Sequence, residues 1–416
     1  MVMPTVTFIT STVHAKARVV RKVEPGVVVA VTDGLRMSAI CRAACILLAG
    51  LVASGVQAAT LPVDNVDVLY HRYDGGGMVI DGPSVLVRKS AGSQVSFTGQ
   101  YYVDSVSAAS VDVLATASKY EEERTEYTAG VDYLHDSAIL SLGYTNSSEN
   151  DYEANTVFFS VSQEFFGGLS TLRMGYAQGW DDVGKVGNTN FDEQADRRNY
   201  QLGLSQVITK NTVMGIDLEA VTDEGFLENP YRQNRYLDPA DSTQYLYQPE
   251  QYPETRTSFA VATRAMYYLP YRASLRGEYR YFDDSWGIQA HTFEMAYVHP
   301  LTAQWTVEGR VRYYMQDQAD FYSDLYAYAN SQNHLGRDKE LSTFSGTTFG
   351  TGVTYELRQA SLPGIDRLQF NLLLDYLNFE YDNFRDVTTG GNYLPGQEPL
   401  YGFDAFVTRA SIIIEY

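Results

Sequence analysis

The sequence predicts an all-β fold, a transmembrane antiparallel β-barrel of about sixteen strands with short periplasmic turns and long extracellular loops. Three observations support this prediction. Strand-like segments with period-two alternation repeat to the end of the chain, and short and long connections alternate between them. The 416 residues include 33 tyrosines and 33 glycines and carry a formal charge of −20. This composition is typical of strands that face lipid on one side and water on the other.

The composition also excludes several other classes of protein. The predicted mature part contains no run of eighteen apolar residues, so no helix is expected to span a membrane. The acidic balance argues against nucleic acid as a partner, since phosphates would be repelled. A content of 13% aromatic residues argues against a disordered acidic chain.

The N-terminal region predicts export. Residues 37–58 have the features of a signal peptide, in which Arg42 precedes an apolar run over 43–56 and small residues at 56–58 allow cleavage. Residues 1–36 are then an over-called start, although a genuine extension stays open. Both cysteines lie inside the signal, so the mature chain has none, as suits an oxidising periplasm. The predicted location is the bacterial outer membrane.

Residues 59–79 are predicted to form an N-terminal periplasmic or luminal segment, ahead of a barrel over 80–416. Alternating residues in this segment are followed by a turn whose glycines permit a sharp reversal. A strand hairpin or a luminal plug would both fit. The candidate plug or turn residues are Asp74, Gly75, Gly76 and Gly77.

The pattern from residue 80 onward is divided into sixteen predicted strands. They cover 80–89, 94–103, 109–118, 124–136, 138–149, 152–164, 169–180, 196–208, 211–223, 254–268, 271–283, 288–299, 303–316, 340–357, 366–381 and 403–416. An even number is what a closed barrel with both termini on one side requires. Tight turns are predicted at 165–168, 209–211, 269–270 and 299–301, and long polar stretches at 181–195, 224–253, 317–339 and 382–402. Counting back from a periplasmic Tyr416 places every tight turn inside and every long stretch outside.

The last predicted strand carries a candidate assembly signal. Its alternating apolar face ends on an aromatic residue, which resembles the signal that outer-membrane barrels present to the barrel-assembly machinery. An ordinary sheet strand is the alternative. The residues of the candidate signal are Phe406, Ile412, Ile414 and Tyr416. The expected partners are therefore outer-membrane lipid and the assembly machinery.

Charged residues on the predicted strands are assigned to the lumen, because a charge on the lipid face at mid-bilayer would cost about 2–4 kcal/mol. The candidate lumen-lining residues are Arg264, Arg276, Glu278, Arg280, Glu294, Glu308, Arg310, Arg312, Arg367 and Asp375. In an open pore these charges would set ion preference. In a narrow or plugged barrel they would pair with each other. Both alternatives stay open.

No residue pattern predicts catalysis or a cofactor. Glu278 and Glu308 could act as acid and base, but nothing in the sequence determines their separation. The histidines of the mature chain have no metal-ligand spacing. We therefore expect no catalytic residues, no metal and no cofactor. The stretch 224–253 is rich in tyrosine and proline, which suits a binding surface, although packing over the barrel mouth is the favoured interpretation.

Five stretches resemble the bacterial family known as domain of unknown function 3570. They are Tyr73–Gly77, Asp104–Ser110, Asn229–Arg232, Ala319–Tyr322 and Arg337–Ser342. The resemblance covers about 60–416 and implies an outer-membrane β-barrel without a settled activity. It also hints at an extracytoplasmic redox system, because members often accompany genes that resemble a flavin transferase, a thioredoxin-like protein and a small lipoprotein. Locally, Asp104–Ser110 is predicted to be a periplasmic turn, and the charges at 337–340 are predicted to clamp the preceding loop as a strand begins.

Three functions follow from this evidence. The first is a porin-like channel, or the membrane component of an envelope system, in a Gram-negative outer membrane. The second is a plugged barrel that serves as a binding or scaffold protein for a periplasmic partner, with a redox protein as one candidate. The third, an outer-membrane enzyme, lacks a recognisable set of catalytic residues.

Overall fold

The alternating segments form sixteen long strands and one short hairpin in the computed structural model, which describes residues 59–108, 120–358 and 364–416. The strands are β1 (Asn65–Gly75), β2 (Met78–Ala91), β3 (Val95–Ala108), β4 (Tyr120–His135), β5 (Ala138–Ser148), β6 (Tyr152–Phe165), β7 (Ser170–Val183), β8 (Glu193–Thr209), β9 (Thr212–Gly225), β10 (Gln233–Leu237), β11 (Tyr245–Pro249), β12 (Thr255–Tyr268), β13 (Ser274–Asp284), β14 (Gln289–Pro300), β15 (Trp305–Gln316), β16 (Phe344–Arg358), β17 (Arg367–Arg385) and β18 (Leu400–Glu415). Two short 3₁₀ turns cover Phe166–Gly168 and Lys339–Leu341. The predicted signal peptide and over-called start lie outside the described residues.

The sixteen long strands close into an antiparallel barrel, as predicted. The order around the barrel is β1-β18-β17-β16-β15-β14-β13-β12-β9-β8-β7-β6-β5-β4-β3-β2, and β2 returns to β1. Closure is made by β1 and β18, whose register begins at Asn65 opposite Glu415. Because every barrel strand has two neighbours, the barrel has no open edge at which backbone groups would lack partners.

Of the two alternatives left open for residues 59–79, a strand hairpin and a luminal plug, the structure shows the hairpin, so the barrel begins at residue 65 and not at residue 80. Residues 65–75 are β1, and the next two glycines make the turn to β2 with φ of +59° and +76°. Gly75 lies so close to Ala405 of β18 that a Cβ would overlap the backbone there. Whether this segment fills the lumen or joins the wall depends on its pairing with β18, about 340 residues later, which local alternation does not reveal.

The predicted strand count is correct, but its membership differs. The predicted strand 109–118 lies outside the described residues, and β3 pairs directly with β4. The strand that completes the sixteen is β1, which the prediction had left out of the barrel. The predicted strand 152–164 is β6.

The connections divide between the two ends of the barrel. One end, here called the turn end, carries both barrel termini and all four predicted tight turns. The other, here called the loop end, carries all four predicted long stretches. Their bounds in the structure are 184–192, 226–254, 317–343 and 386–399. Because antiparallel strands alternate in direction, this sorting follows from the order of short and long connections.

The outer face of the barrel is apolar. Large side chains remain exposed there, among them Phe97, Tyr127, Leu142, Met295, Phe349 and Phe406. Within the described ranges, no helix is long and apolar enough to cross a membrane. A continuous apolar belt around a closed barrel is typical of strands that contact lipid. The candidate assembly residues Ile412, Ile414 and Tyr416 share the exposed face of Phe406, and their role in assembly stays a prediction.

Candidate functional site

The predicted luminal charges lie on the inner face of the barrel, on strands that are adjacent in the wall. Alternation with exposed apolar residues places them there, as in β15, where Val311 and Tyr313 face outward around Arg312. Eight of the ten residues form ion pairs with nearby strands. The pairs are Arg264–Asp217, Arg264–Glu278, Arg276–Glu294, Arg280–Glu219, Arg310–Asp375, Arg367–Glu415 and Arg367–Glu356. All of these pairs run along the wall, between adjacent or next-adjacent strands.

One carboxylate links three strands on the inner face and passes over a fourth. Asp375 on β17 accepts from Arg310 Nη2 on β15 at 2.6 Å and from Arg409 Nη2 on β18 at 2.7 Å. Gly350 on β16 stands in register with both Arg310 and Asp375. A Cβ on Gly350 would overlap Asp375 Oδ1, so the missing side chain is what lets the pair pass over β16.

A second ion pair also passes over small residues on the strand between its two partners. Arg280 Nη2 on β13 donates to Glu219 Oε2 on β9 at 2.8 Å, passing over β12. The residues of β12 in register with this pair are Ala262 and Ala260. Small residues on the middle strand therefore accompany both of these pairs between next-adjacent strands.

Two predicted luminal residues are not paired. Among the described residues, no basic group lies within ion-pair distance of Glu308 and no acidic group within that distance of Arg312. Arg312 is also exposed on the inner face. Eight of the ten predicted residues therefore belong to an internal ion-pair network, and these two do not. Most of the predicted luminal charges are thus paired within the wall of the barrel.

The structure adds a polar cluster that the sequence reasoning missed. His71 Nε2 lies 2.7 Å from Asp104 Oδ1, and the Tyr102 hydroxyl donates to the same oxygen at 2.9 Å. Gly82 on β2 stands in register with His71, and a Cβ there would overlap the Val103 backbone of β3, so the missing side chain lets β3 approach closely. Asp104–Ala108 therefore continues β3 toward the loop end, and its interpretation as a periplasmic turn was wrong. Placing β1 in the wall would have put His71 on the inner face and revealed the cluster.

At the loop end, four connections pack together over neighbouring strands. We call this unit the loop cap, defined as 226–254, 285–288, 317–343 and 386–399. The first three share an apolar core whose buried residues are Trp286, Ile288, Ala319, Phe321, Tyr322 and Leu341. Tyr252 packs against the same core. The tyrosine-rich stretch thus packs against neighbouring loops, as the favoured interpretation expected.

Buried ion pairs join three of these connections. Arg235, which is fully buried, pairs with Glu398 and with Asp324, each at 2.5 Å. Arg337 lies 3.0 Å from Asp324 and stacks over the ring of Phe384 on β17. Burial raises the pKa of Glu398, but the hydrogen bond and charge of Arg235, together with backbone N–H groups that include that of Gly396, lower it below its usual range. Each buried charge therefore has an opposite partner, which is the condition for tolerating it.

A buried carboxylate links the stretch 226–254 to 317–343. Glu250 accepts from the Arg337 backbone N–H and from the Tyr252 hydroxyl, each at 2.6 Å. Burial, with the nearby Asp338 carboxylate, raises the pKa of Glu250 to about 7. Asp338 forms an ion pair with Arg232 of the stretch 226–254. The predicted clamp on the preceding loop is made instead by Arg337, which pairs with Asp324. The following strand begins at Phe344, later than predicted.

Three carboxylates near the loop end are close enough to share a cation. Glu122, Glu149 and Asp151 place oxygens within 4.8 Å of one another. The Tyr231 hydroxyl donates to Asp151 and ties the stretch 226–254 to the β5–β6 connection. Oxygen ligands of this kind suit a hard divalent cation, although exposed acidic groups also gather without one.

One comparison with known proteins identifies a family. A family model described as a protein of unknown function (DUF3570) matches residues 114–390, which leaves the stretches Tyr73–Gly77 and Asp104–Ser110 outside the match. No curated protein matches the chain.

Solved structures similar to the chain include three outer-membrane proteins. A bacterial polysaccharide outer membrane secretin is 9% identical with a TM-score of 0.45, over 85% of this chain and 98% of the other. The siderophore receptor PirA from Pseudomonas aeruginosa is 8% identical with a TM-score of 0.40, over 85% and 81%. In-vitro folded OmpT of Vibrio cholerae is 11% identical with a TM-score of 0.40, over 84% and 98%. At these identities the likeness concerns the fold alone.

Proposed function

The chain belongs to the DUF3570 family of proteins of unknown function, and from the geometry of its barrel we propose that it is an outer-membrane channel for small hydrophilic solutes. The observation that carries the proposal is a sixteen-strand closed barrel with a charged inner wall. Barrels of this strand number leave an aqueous lumen. Residues 65–75, for which a luminal plug was one alternative, form part of the wall.

The proposed setting is a Gram-negative outer membrane, reached by export and inserted by the barrel-assembly machinery. The apolar belt supports contact with lipid. The turn end would face the periplasm, and the loop end would face outward, as the lengths of the connections suggest. The loop cap would then border the outer entrance of the channel.

The unpaired luminal charges are the proposed determinants of ion preference. The carboxylate of Glu308 and the guanidinium of Arg312 lie on the same inner face of β15, four residues apart. Paired charges present a smaller net field to a passing ion than unpaired ones do. Neutralising Arg312 should therefore raise cation preference, and neutralising Glu308 should lower it.

The test is conductance of the refolded full chain in planar bilayers, with folding checked by heat-modifiable gel mobility. We expect discrete steps, with reversal potentials in a salt gradient that shift in opposite directions for Arg312→Gln and Glu308→Gln. Asp241→Asn, in the loop cap and with a similar charge change, is the matched control and should leave the potential unchanged. Folded protein without steps would refute the channel, and unshifted potentials in both luminal variants would refute their role.

A scaffold is the second candidate, and one observation favours it. The loop cap is tied by buried ion pairs, yet it exposes apolar side chains at Tyr328, Tyr393 and Leu394. Exposed aromatic groups on a well-packed support are typical of binding surfaces. In this role the partner would bind at the loop end, whereas the sequence analysis had placed it in the periplasm. Absence of conductance in folded protein would favour this candidate.

A further inference from the structure

A cleft of about 300 Å³ opens in the loop cap where three stretches of chain meet. Its walls come from the end of 226–254, the short connection 285–288 and the stretch 317–343. Its volume is at the lower end of the range for small-molecule sites. It is separate from the luminal charges, since its lining residues all belong to connections at the loop end.

The floor of the cleft is aromatic and held in place. The rings of Trp286 and Phe321 meet edge to face at 5.3 Å. The indole N–H of Trp286 donates to the Thr255 carbonyl at 2.9 Å, and the guanidinium of Arg256 lies 4.5 Å from the centre of the indole ring. These contacts order the rings, so a ligand would not have to order them on binding.

The rim of the cleft carries polar groups with unused hydrogen-bonding capacity. In the described ranges, neither the Asp320 carboxylate nor the Asn333 amide has a hydrogen-bond partner within the protein. The Asp320 backbone N–H donates to the Trp286 carbonyl at 2.8 Å, and its carboxylate lies against Gly287, where φ is +88°. The Ser285 hydroxyl oxygen accepts from the Thr257 N–H, so its own proton remains available. His334 completes the rim.

We propose that this cleft binds one pyranose ring of a saccharide. The C–H face of such a ring is apolar and would pack against the parts of the Trp286 and Phe321 rings that border the cleft. Its hydroxyl groups would donate to the Asp320 carboxylate and exchange hydrogen bonds with the Asn333 amide. Among the described residues, no lysine or arginine lines the cleft, which disfavours phosphate and other anions. The ring could belong to a free sugar or to the glycan of a membrane lipopolysaccharide.

Binding is tested on the folded full chain in detergent by saturation-transfer NMR, with methyl glucoside, methyl galactoside and methyl mannoside as free sugars. A delipidated core oligosaccharide from lipopolysaccharide is the second probe. The chain has three tryptophans, so Trp180→Phe with Trp305→Phe leaves Trp286 as the only tryptophan, and its fluorescence gives a second readout. Saturable binding of at least one probe is expected, and the probe that binds identifies the source of the ring.

Asp320→Ala and Asn333→Ala should each weaken that binding about tenfold or more, because each removes a hydrogen bond made within a partly dry cleft. Asp317→Asn, a charge change in the same stretch but outside the cleft, is the control and should bind like the parent. Absence of saturable binding by every probe in folded protein would overturn the proposal. Unchanged affinity in both alanine variants would overturn it as well. The readout is binding, so the result is independent of conductance.

Discussion

We expect the glycine at position 350 to stabilise the barrel, because a side chain there would displace the carboxylate of Asp375. In Gly350→Ala the new Cβ would overlap Asp375 Oδ1 and lie 3.1 Å from Arg310 Nε. The carboxylate must then turn away from Arg310, whose hydrogen bond to it is 2.6 Å long, while Arg409 can still hold the other oxygen. Losing one hydrogen bond between charged groups costs about 1.5–3 kcal/mol. Alanine returns roughly 0.5–1 kcal/mol in a strand, so we expect a net loss of about 1–2 kcal/mol.

The assay is equilibrium unfolding in guanidinium, with the barrel in detergent and followed by circular dichroism. Gly309→Ala is the matched control, because it is a neighbouring strand glycine whose Cβ would meet nothing within 4 Å. That variant should be as stable as the parent or slightly more so. The penalty of Gly350→Ala should shrink when Arg310→Gln is already present, since the two changes act on one contact. Equal stability of the two alanine variants would refute the reasoning.

Two further predictions follow from the same structure. The pKa of Glu250 is raised to about 7 in the folded chain. The stabilisation of the folded state by its protonated form is therefore fully present below the pKa that Glu250 has in the unfolded chain. This stabilisation, at most about 3 kcal/mol, is lost as pH rises through about 7. Hydrogen exchange of the Arg337 amide, corrected for intrinsic rates, should therefore lose protection between pH 5 and 8 in the parent and less in Glu250→Gln; parallel profiles would contradict this. Gly75→Ala should impair the β1–β18 closure, because its Cβ would overlap the Ala405 backbone, whereas at Gly99 a Cβ meets nothing within 4 Å. A lower folded fraction on heat-modifiable gels is expected for Gly75→Ala than for Gly99→Ala, and equal fractions would count against a tight seam.

The sequence by itself determined the class of fold and the direction of most side chains. The period-two alternation can be interpreted without knowing which strands pair. A strand residue at mid-bilayer faces either lipid or the lumen, and a charged side chain there is tolerated only on the luminal face. The inner face of Arg276, Arg310 and Asp375 was therefore predictable. The sorting of short and long connections was predictable for a similar reason, since antiparallel strands alternate in direction.

Only the tertiary structure decided which strands close the barrel and which charges pair. β1 becomes wall through pairing with β18, far away in the sequence, so its local pattern could not distinguish a wall from a plug. The Arg310–Asp375 contact depends on register across three strands and on an absent side chain at Gly350. The loop cap is likewise a product of distant contacts, such as Arg235 with Glu398, 163 residues apart. Local periodicity gives each residue a direction, whereas register between strands gives it a partner.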